Sequence, residues 1–131
     1  MKGYRHNLDG RRGHSLLTGK EAASMPPIYS TDGEGDPFDR PVGVKLFCPY
    51  SHTLTFYGVE YDGDGGLFGY TVSASGDPRD NEWGYLYLDH AGGETFRGVL
   101  PLWERDRGSG EGRYTVRELM ERDGVPVEVP A

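Results

Sequence analysis

Cysteine is almost absent from this sequence of 131 residues, which contains Cys48 alone. A single cysteine excludes an internal disulfide framework, and such sparing use is typical of proteins of the reducing cytosol. No general base stands beside Cys48 in the sequence. We therefore interpret Cys48 as a small buried apolar side chain and not as a nucleophile.

Long apolar runs are also missing from the chain. No stretch approaches the ~18 consecutive apolar residues that a membrane-spanning helix needs. No apolar segment follows the basic start of the sequence, as a secretory signal would require. The sequence therefore predicts a cytoplasmic protein that does not contact a membrane.

Positive charge is scarce outside one short segment. Lys and Arg number 14 against 21 Asp and Glu, which gives a net charge of -7. Residues 1–14 nevertheless carry four cations, including Arg11 and Arg12, against one acid. Their polar composition predicts a flexible basic arm; the alternative is an arm that touches nucleic acid or an acidic partner. The acidic remainder argues against broad binding to a phosphate backbone.

Glycine and aromatic residues are abundant, and they favour a β-rich body. Three segments rich in β-branched and aromatic residues, 53–61, 67–74 and 83–88, predict strands. The Asp-Gly and Gly-Gly steps at 62–66 predict a hairpin turn between the first two strands. Shorter segments predict two flanking strands, at 42–47 and 99–103.

Side-chain alternation along these strands predicts a sheet with apolar residues on both faces. In the central strand, Phe56 faces one way, whereas Tyr57 and Tyr61 face the other. One face of the third strand carries three aromatic residues, Trp83, Tyr85 and Tyr87. A sheet of this kind needs a helix or a second layer over its apolar surface.

Two capping boxes predict the starts of helices. Thr18 with Glu21, and Thr115 with Glu118, have the Thr-x-x-Glu spacing in which each side chain satisfies the backbone N–H of the other residue. A further helical turn is predicted after Asp89, where two glycines weaken it.

The predicted fold class is therefore α+β, a single domain with a mainly antiparallel sheet of four or five strands and two or three short helices. Three parts follow one another along the chain. The basic flexible arm covers 1–14 and the α+β core covers 15–106. A glycine-rich link, a short helix and an extended tail complete the chain over 107–131.

No motif for catalysis, cofactor binding or metal binding stands out. Residues 62–66 lack the ligand pattern of a calcium loop, and residues 108–112 lack the lysine of a phosphate loop. The four histidines lack the spacing of metal ligands, and no nucleophile is tied to His90. We therefore predict no catalytic residues, no cofactor and no metal.

The candidate binding residues are aromatic or basic. A face of tyrosines and a tryptophan suits stacking on bases or the centre of a protein interface, and a packed sheet face is the alternative. Arg105 is a candidate contact for an anion or a partner, with an ion-paired strand end as the alternative. The full set is Tyr57, Tyr70, Trp83, Tyr85, Tyr87, Arg105, Arg11 and Arg12.

Seven short blocks occur in a fixed order between residues 16 and 106. They include Pro-Pro-Ile-Tyr-Ser-Thr at 26–31, Val-Lys-Leu-Phe at 44–47 and Leu-Pro-Leu-Trp-Glu-Arg-Asp at 100–106. In these blocks the chain resembles the family catalogued as domain of unknown function number 2958, short proteins of bacteria, plasmids and phages. The resemblance implies an accessory protein of a mobile element in a bacterial host cell, and it supplies no catalytic residues.

The predicted function is that of a non-catalytic accessory protein that binds a host protein and modulates host defence or replication. The mobile-element context rests on the family resemblance alone. An alternative is a module that binds nucleic acid or a nucleotide through the basic arm and the tyrosine-rich sheet. A small enzyme is a third interpretation, for which the sequence shows no constellation of residues.

Overall fold

The computed structural model describes residues 1–127, and an antiparallel sheet forms its centre. The strands are β1 (Val44–Phe47), β2 (Thr55–Tyr61), β3 (Gly66–Val72), β4 (Glu82–Tyr87), β5 (Thr95–Phe96), β6 (Leu100–Pro101) and β7 (Glu104–Arg105). Five of them form one sheet in the order β4-β3-β2-β1-β7, and β5 pairs with β6. All pairings are antiparallel, which confirms the predicted α+β class.

Four short helices accompany the sheet: α1 (Asp9–Arg12), α2 (Gly19–Ala23), α3 (Leu88–Gly93) and α4 (Val116–Arg122). Both predicted capping boxes are present, at the N-caps Thr18 and Thr115. The helical turn predicted with Asp89 as its cap begins two residues earlier, as α3 with Tyr87 at its N-cap, and α1 has no counterpart in the prediction. No helix within residues 1–127 combines the length and the apolar character that a membrane crossing requires.

A β-bulge in β2 corrects the predicted alternation of its side chains. The register with β3 shifts between Gly58 and Glu60, so one extra residue lies in β2. The shift turns Tyr61 to the face that holds Phe56, whereas strict alternation places it beside Tyr57. The same shift brings Glu60 to the face of Tyr57, and this placement positions a loop described below.

A hydrophobic core covers each face of the sheet. On one face, α2 and α3 pack over the first core, whose buried members include Leu16, Leu17, Ala22, Val44, Leu46, Phe56, Tyr61, Leu67, Leu88, Ala91 and Trp103. On the other face, α4 covers the second core, which contains Val42, Tyr57, Val59, Tyr70, Val72, Val116, Leu119 and Met120. On this face of the sheet, helix α4 therefore lies over β1 to β3 and does not cover β4.

The N-terminal segment is packed against the domain, in contrast to the flexible arm predicted over residues 1–14. Tyr4 forms a β-bridge to the segment before α2. The guanidinium of Arg12 is fully buried. It donates from Nε to the carbonyl oxygen of Trp103 at 2.8 Å and from Nη2 to that of Gly92 at 2.9 Å. The polar composition of residues 1–14 indicated mobility. Composition does not reveal that one of these arginines, Arg12, donates to buried carbonyl oxygens.

The glycine-rich segment after β7 is also docked, which corrects the predicted link. Ser109 is buried, and its hydroxyl donates to Asp106 Oδ2 at 2.8 Å. The N–H of Glu111 donates to the carbonyl oxygen of Gly43 at 2.8 Å, beside the start of β1. Through these contacts the segment that begins at Arg107 lies along the sheet.

The edge strand predicted at 99–103 is shorter in the structure and lies elsewhere. Within it only Leu100–Pro101 is a strand, β6, which lies outside the main sheet, and the strand at the edge of that sheet beside β1 is Glu104–Arg105, just past the predicted segment. Past α4, Val125 and Val127 pack against the second core. Residues 128–131 of the predicted extended tail lie outside the described residues.

Candidate functional site

Helix α4 does not cover the second core at β4, and aromatic side chains of β4 cover part of it there. Trp83 is half-buried, and its ring lies 5.3 Å from that of Phe38 and 5.1 Å from that of Tyr70, measured between centroids. Tyr70 itself is buried. Two of the predicted binding residues, Tyr70 and Trp83, therefore belong mainly to the packed face, which is the alternative interpretation of the aromatic set.

Next to them, three tyrosines form an exposed surface that we call the tyrosine row: Tyr29, Tyr85 and Tyr87. They are 67%, 43% and 60% exposed. The rings of Tyr85 and Tyr87 stack with centroids 6.3 Å apart, and Tyr29 meets Tyr85 edge-on at 6.3 Å. Three neighbouring, solvent-exposed tyrosines have the amphipathic character that is enriched at protein interfaces.

Tyr29 reaches this position from a loop held in an unfavourable backbone conformation. Its φ is 70°, in the left-handed region that costs a bulky residue of order 1–3 kcal/mol. Such a conformation persists only where the surroundings fix it. Residues of this kind cluster at functional sites, so the strain marks Tyr29 as a candidate for function.

The buried carboxylate of Glu60 fixes the loop. Its Oε1 accepts the N–H of Tyr29 at 3.1 Å, and its Oε2 accepts the N–H of Thr31 at 3.2 Å and also the Thr31 hydroxyl. Arg40 Nη2 adds a hydrogen bond to the carbonyl oxygen of Thr31 at 2.8 Å. Glu60 reaches the loop because the β-bulge turns it to this face, so the bulge and the strained loop form one arrangement.

The surroundings raise the pKa of Tyr85, and the segments that supply the tyrosine row are acidic. The neighbouring Tyr29 hydroxyl, desolvation and the charge of Asp32 together raise the pKa of Tyr85 to about 12. The two segments that supply the row, 29–36 and 80–89, contain six acidic residues and no Lys or Arg: Asp32, Glu34, Asp36, Asp80, Glu82 and Asp89. An approaching partner therefore meets aromatic rings on segments that are rich in acidic residues.

The predicted basic residues lie away from the row. Arg12 is buried and Arg11 is exposed, and both lie in α1, on the side of the first core and so across the sheet from the tyrosines. Arg105 donates from Nε to the carbonyl oxygen of Ser15 at 3.1 Å and lies 3.4 Å from Glu21 Oε2. Arg105 thus links α2 to the edge of the sheet. This contact corresponds to the ion-paired strand end, the alternative interpretation of Arg105.

Tyr57 is fully buried, which corrects its prediction as a binding residue. Its hydroxyl donates to Asp123 Oδ2 at 2.7 Å, and Lys45 Nζ lies 2.8 Å from the same oxygen. Lys45 also lies 3.4 Å from Asp106 Oδ2. Burial, followed by the hydrogen bond to Asp123, raises the pKa of Tyr57 strongly. This cluster holds the end of α4 against the sheet.

We expect the cluster to make stability depend on acid pH through Asp123. Burial raises the pKa of its carboxyl, but bonds from Lys45 and Tyr57 outweigh burial and hold that pKa below 3.8. A depressed folded-state pKa contributes stability above the unfolded value, and that stability is lost as pH falls through the folded value. Asp123→Asn should therefore lower the free energy of unfolding by about 1–2 kcal/mol at neutral pH, and by less below pH ~3.

Urea unfolding of the wild type and of Asp123→Asn, at neutral and at acid pH, measures how the loss of stability depends on pH. Asp64→Asn is the matched control, because Asp64 lies exposed in the turn after β2 and should change stability little at either pH. An equal loss for Asp123→Asn at both pH values would show that its charge is not what stabilises α4.

No metal or catalytic centre emerges from the described residues. Within residues 1–127, no three side chains of His, Cys, Asp or Glu converge as metal ligands. A shallow cleft of about 550 Å³ contains Arg105, Glu104 and Asp106 together with His14. His90 does not line this cleft, and Cys48 is buried. The arrangement shows ion pairs, without a nucleophile held by a base.

Sequence reasoning missed Tyr29 and Glu60, the residues that complete the site. They lie 31 residues apart in the chain and meet only through the fold. The one local signal was an acidic residue within a strand of apolar and aromatic neighbours, because a buried carboxylate needs hydrogen-bond donors. No protein-family model, curated protein or solved structure matches this chain.

Proposed function

We propose that this chain is a non-catalytic accessory protein of a phage or plasmid that binds a host protein in the cytoplasm of a bacterial cell. The tyrosine row is the proposed contact surface. The family resemblance of residues 16–106 supports the mobile-element setting and the modulation of host defence or replication. The geometry supports the binding role, since a rigid, exposed aromatic cluster is typical of interface hot spots.

One observation carries the proposal: a buried carboxylate holds a strained tyrosine at the surface. Glu60 bonds the loop at Tyr29 and Thr31, and the ring of Tyr29 is the most exposed of the row. A loop that served packing alone would gain stability by relaxing the backbone or turning the ring inward. Preorganising a bulky ring in solvent lowers the entropy that a partner must overcome on binding.

Binding of single-stranded nucleic acid is the second candidate, and the stacked pair of Tyr85 and Tyr87 favours it. The charges oppose it, because phosphate binding needs clustered Lys and Arg. Neither segment 29–36 nor segment 80–89 contains Lys or Arg, and Arg11, the exposed cation of α1, lies across the sheet. Protein binding is therefore the better-supported function.

Parallel capture from a bacterial host lysate tests the proposal. The row variant is Tyr29→Asn, Tyr85→Thr and Tyr87→Thr, because Asn tolerates positive φ and Thr suits an edge strand. The control variant is Tyr50→Thr with Tyr114→Thr, two exposed tyrosines elsewhere. We expect wild type and control to retain a host protein in stoichiometric amount, and the row variant to lose about tenfold or more of it.

The opposite results are equally clear. Equal capture by wild type and row variant would remove the tyrosine row as the contact surface. A complex that contains nucleic acid and no protein, and that weakens steeply with salt, would favour the second candidate. Thermal unfolding of the variants verifies that both remain folded, since exposed substitutions usually change stability by about 0.5 kcal/mol or less.

A further inference from the structure

The backbone of β4 has unused hydrogen-bonding groups beside the tyrosine row. The N–H of Leu88 donates to the carbonyl oxygen of Gly65 at 2.8 Å, just beyond the pairing of β4 with β3. Bonded and non-bonded pairs alternate along an antiparallel ladder, so residues 82, 84 and 86 bond to β3. Trp83 and Tyr85 therefore direct their N–H and C=O groups away from the sheet, where no partner lies within residues 1–127.

This edge lacks the features that usually protect a sheet from pairing with another chain. Short strands, Lys, Pro and bulges are the common protective devices. The opposite edge strand, β7, has two residues. In contrast, β4 has six residues, pairs regularly with β3 over its whole length, and contains neither Lys nor Pro. The two edges of one sheet thus differ, and the open edge is the one beside the tyrosines.

Charge indicates which kind of strand this edge accepts. Segments 29–36 and 80–89 contain six acids and no Lys or Arg, but Asp36 pairs with Arg117 at 2.7 Å and Asp89 lies in α3, on the side of the first core. The remaining four, Asp32, Glu34, Asp80 and Glu82, favour a basic segment. Glu82 lies exposed in the edge strand itself. A second copy of this chain would bring the same acids and a net charge of -7 to the contact, so like charges oppose self-pairing.

We propose that β4 receives an extended, Lys- or Arg-bearing segment of the partner protein as a sixth strand of the sheet. This inference rests on the proposed function and specifies its binding mode, which is β-strand addition. Main-chain bonds to Trp83 and Tyr85 hold the added strand about 4.8 Å beyond β4. Alternate side chains of that strand then lie against the tyrosine row, where cations pack on ring faces.

Two substitutions at one position separate the backbone contribution from the side chain. Tyr85→Thr removes the ring and keeps the outward N–H. Tyr85→Pro removes both, and it leaves the β3 ladder intact because the N–H of Tyr85 does not bond to β3. The probe is a displayed library of random peptides of about twelve residues, long enough for one strand, selected on the wild-type protein.

We expect the selected peptides to carry Lys or Arg at alternating positions. Fluorescence anisotropy should give an affinity for Tyr85→Pro that is about tenfold or more below that for Tyr85→Thr. Hydrogen exchange on the wild-type protein is independent of any variant. The amides of Trp83 and Tyr85 should exchange more slowly with peptide bound, whereas that of the exposed Arg79 should not change.

Other outcomes overturn the inference in distinguishable ways. Equal affinities of the two variants, with unprotected amides, would mean contact through rings without strand addition, and the proposed function would survive. Selected peptides without basic residues, or no selected peptides, would exclude a basic strand. A concentration-dependent dimer in sedimentation that Tyr85→Pro abolishes would assign the edge to a second copy. Equal capture of the host protein by the wild type and the row variant would contradict the proposed function itself.

Discussion

Replacing Arg12 with alanine is expected to lower the free energy of unfolding by about 3 kcal/mol, because the substitution leaves buried acceptors unpaired. The carbonyl oxygens of Trp103 and Gly92 lose their bonds to the guanidinium, and Asp9 loses its ion pair. A cavity of the size of the lost side chain adds to the cost. Urea unfolding followed by tryptophan fluorescence measures the change.

Arg11→Ala is the matched control, since it removes the same charge one residue earlier. Arg11 is exposed, and its hydrogen bond to the carbonyl oxygen of Val99 is long, at 3.3 Å. We expect a loss of about 0.5 kcal/mol or less for this variant. Equal effects of the two substitutions would mean that net charge, and not burial, makes the N-terminal segment important.

The comparison also separates two interpretations of the basic segment. An arm that binds nucleic acid would lose affinity and salt dependence on Arg11→Ala while keeping its stability. A structural segment loses stability on Arg12→Ala whatever it binds. The packing of α1 on the first core favours the structural role, and it places the segment across the sheet from the tyrosine row.

Local sequence signals predicted much of this fold because local physics decides those parts. The capping boxes at Thr18 and Thr115 need only residues three apart, and both are present. The glycines of the turn at 62–66 have φ near 85° at Gly63 and Gly65, as a hairpin there requires. Alternation also placed Trp83, Tyr85 and Tyr87 on one face of β4.

The candidate site was harder to predict because its parts meet over long distances in the chain. The β-bulge between Gly58 and Glu60 has no unambiguous local code, yet it decides which face Glu60 and Tyr61 occupy. Without the bulge, Glu60 lies on the wrong face for Tyr29. Composition likewise suggested that residues 1–14 are mobile, and only the positions of distant carbonyl groups reveal that Arg12 is buried.

Glu60→Ala is expected to lower the free energy of unfolding by about 2–3 kcal/mol and also to weaken partner capture. The N–H groups of Tyr29 and Thr31 lose their acceptor, so no hydrogen bond to Glu60 stabilises the positive φ at Tyr29 any longer. Urea unfolding gives the first effect, and the lysate capture described above gives the second. Glu121→Ala, an exposed acid in α4 that lies outside the tyrosine row and the β4 edge, controls for the loss of charge.

Tyr29→Gly then separates the role of the loop in stability from its role in binding. Glycine adopts a φ near 70° without strain, which offsets the lost edge contact with Tyr85, so stability should change by about 0.5 kcal/mol or less. Partner capture should nevertheless fall, because the most exposed ring of the row is gone. A residue that is strained in the fold and dispensable for stability, yet required for binding, is placed there for function. If Tyr29→Gly lowers stability as much as Glu60→Ala and leaves capture unchanged, Tyr29 serves the fold, and the contact surface reduces to Tyr85 and Tyr87.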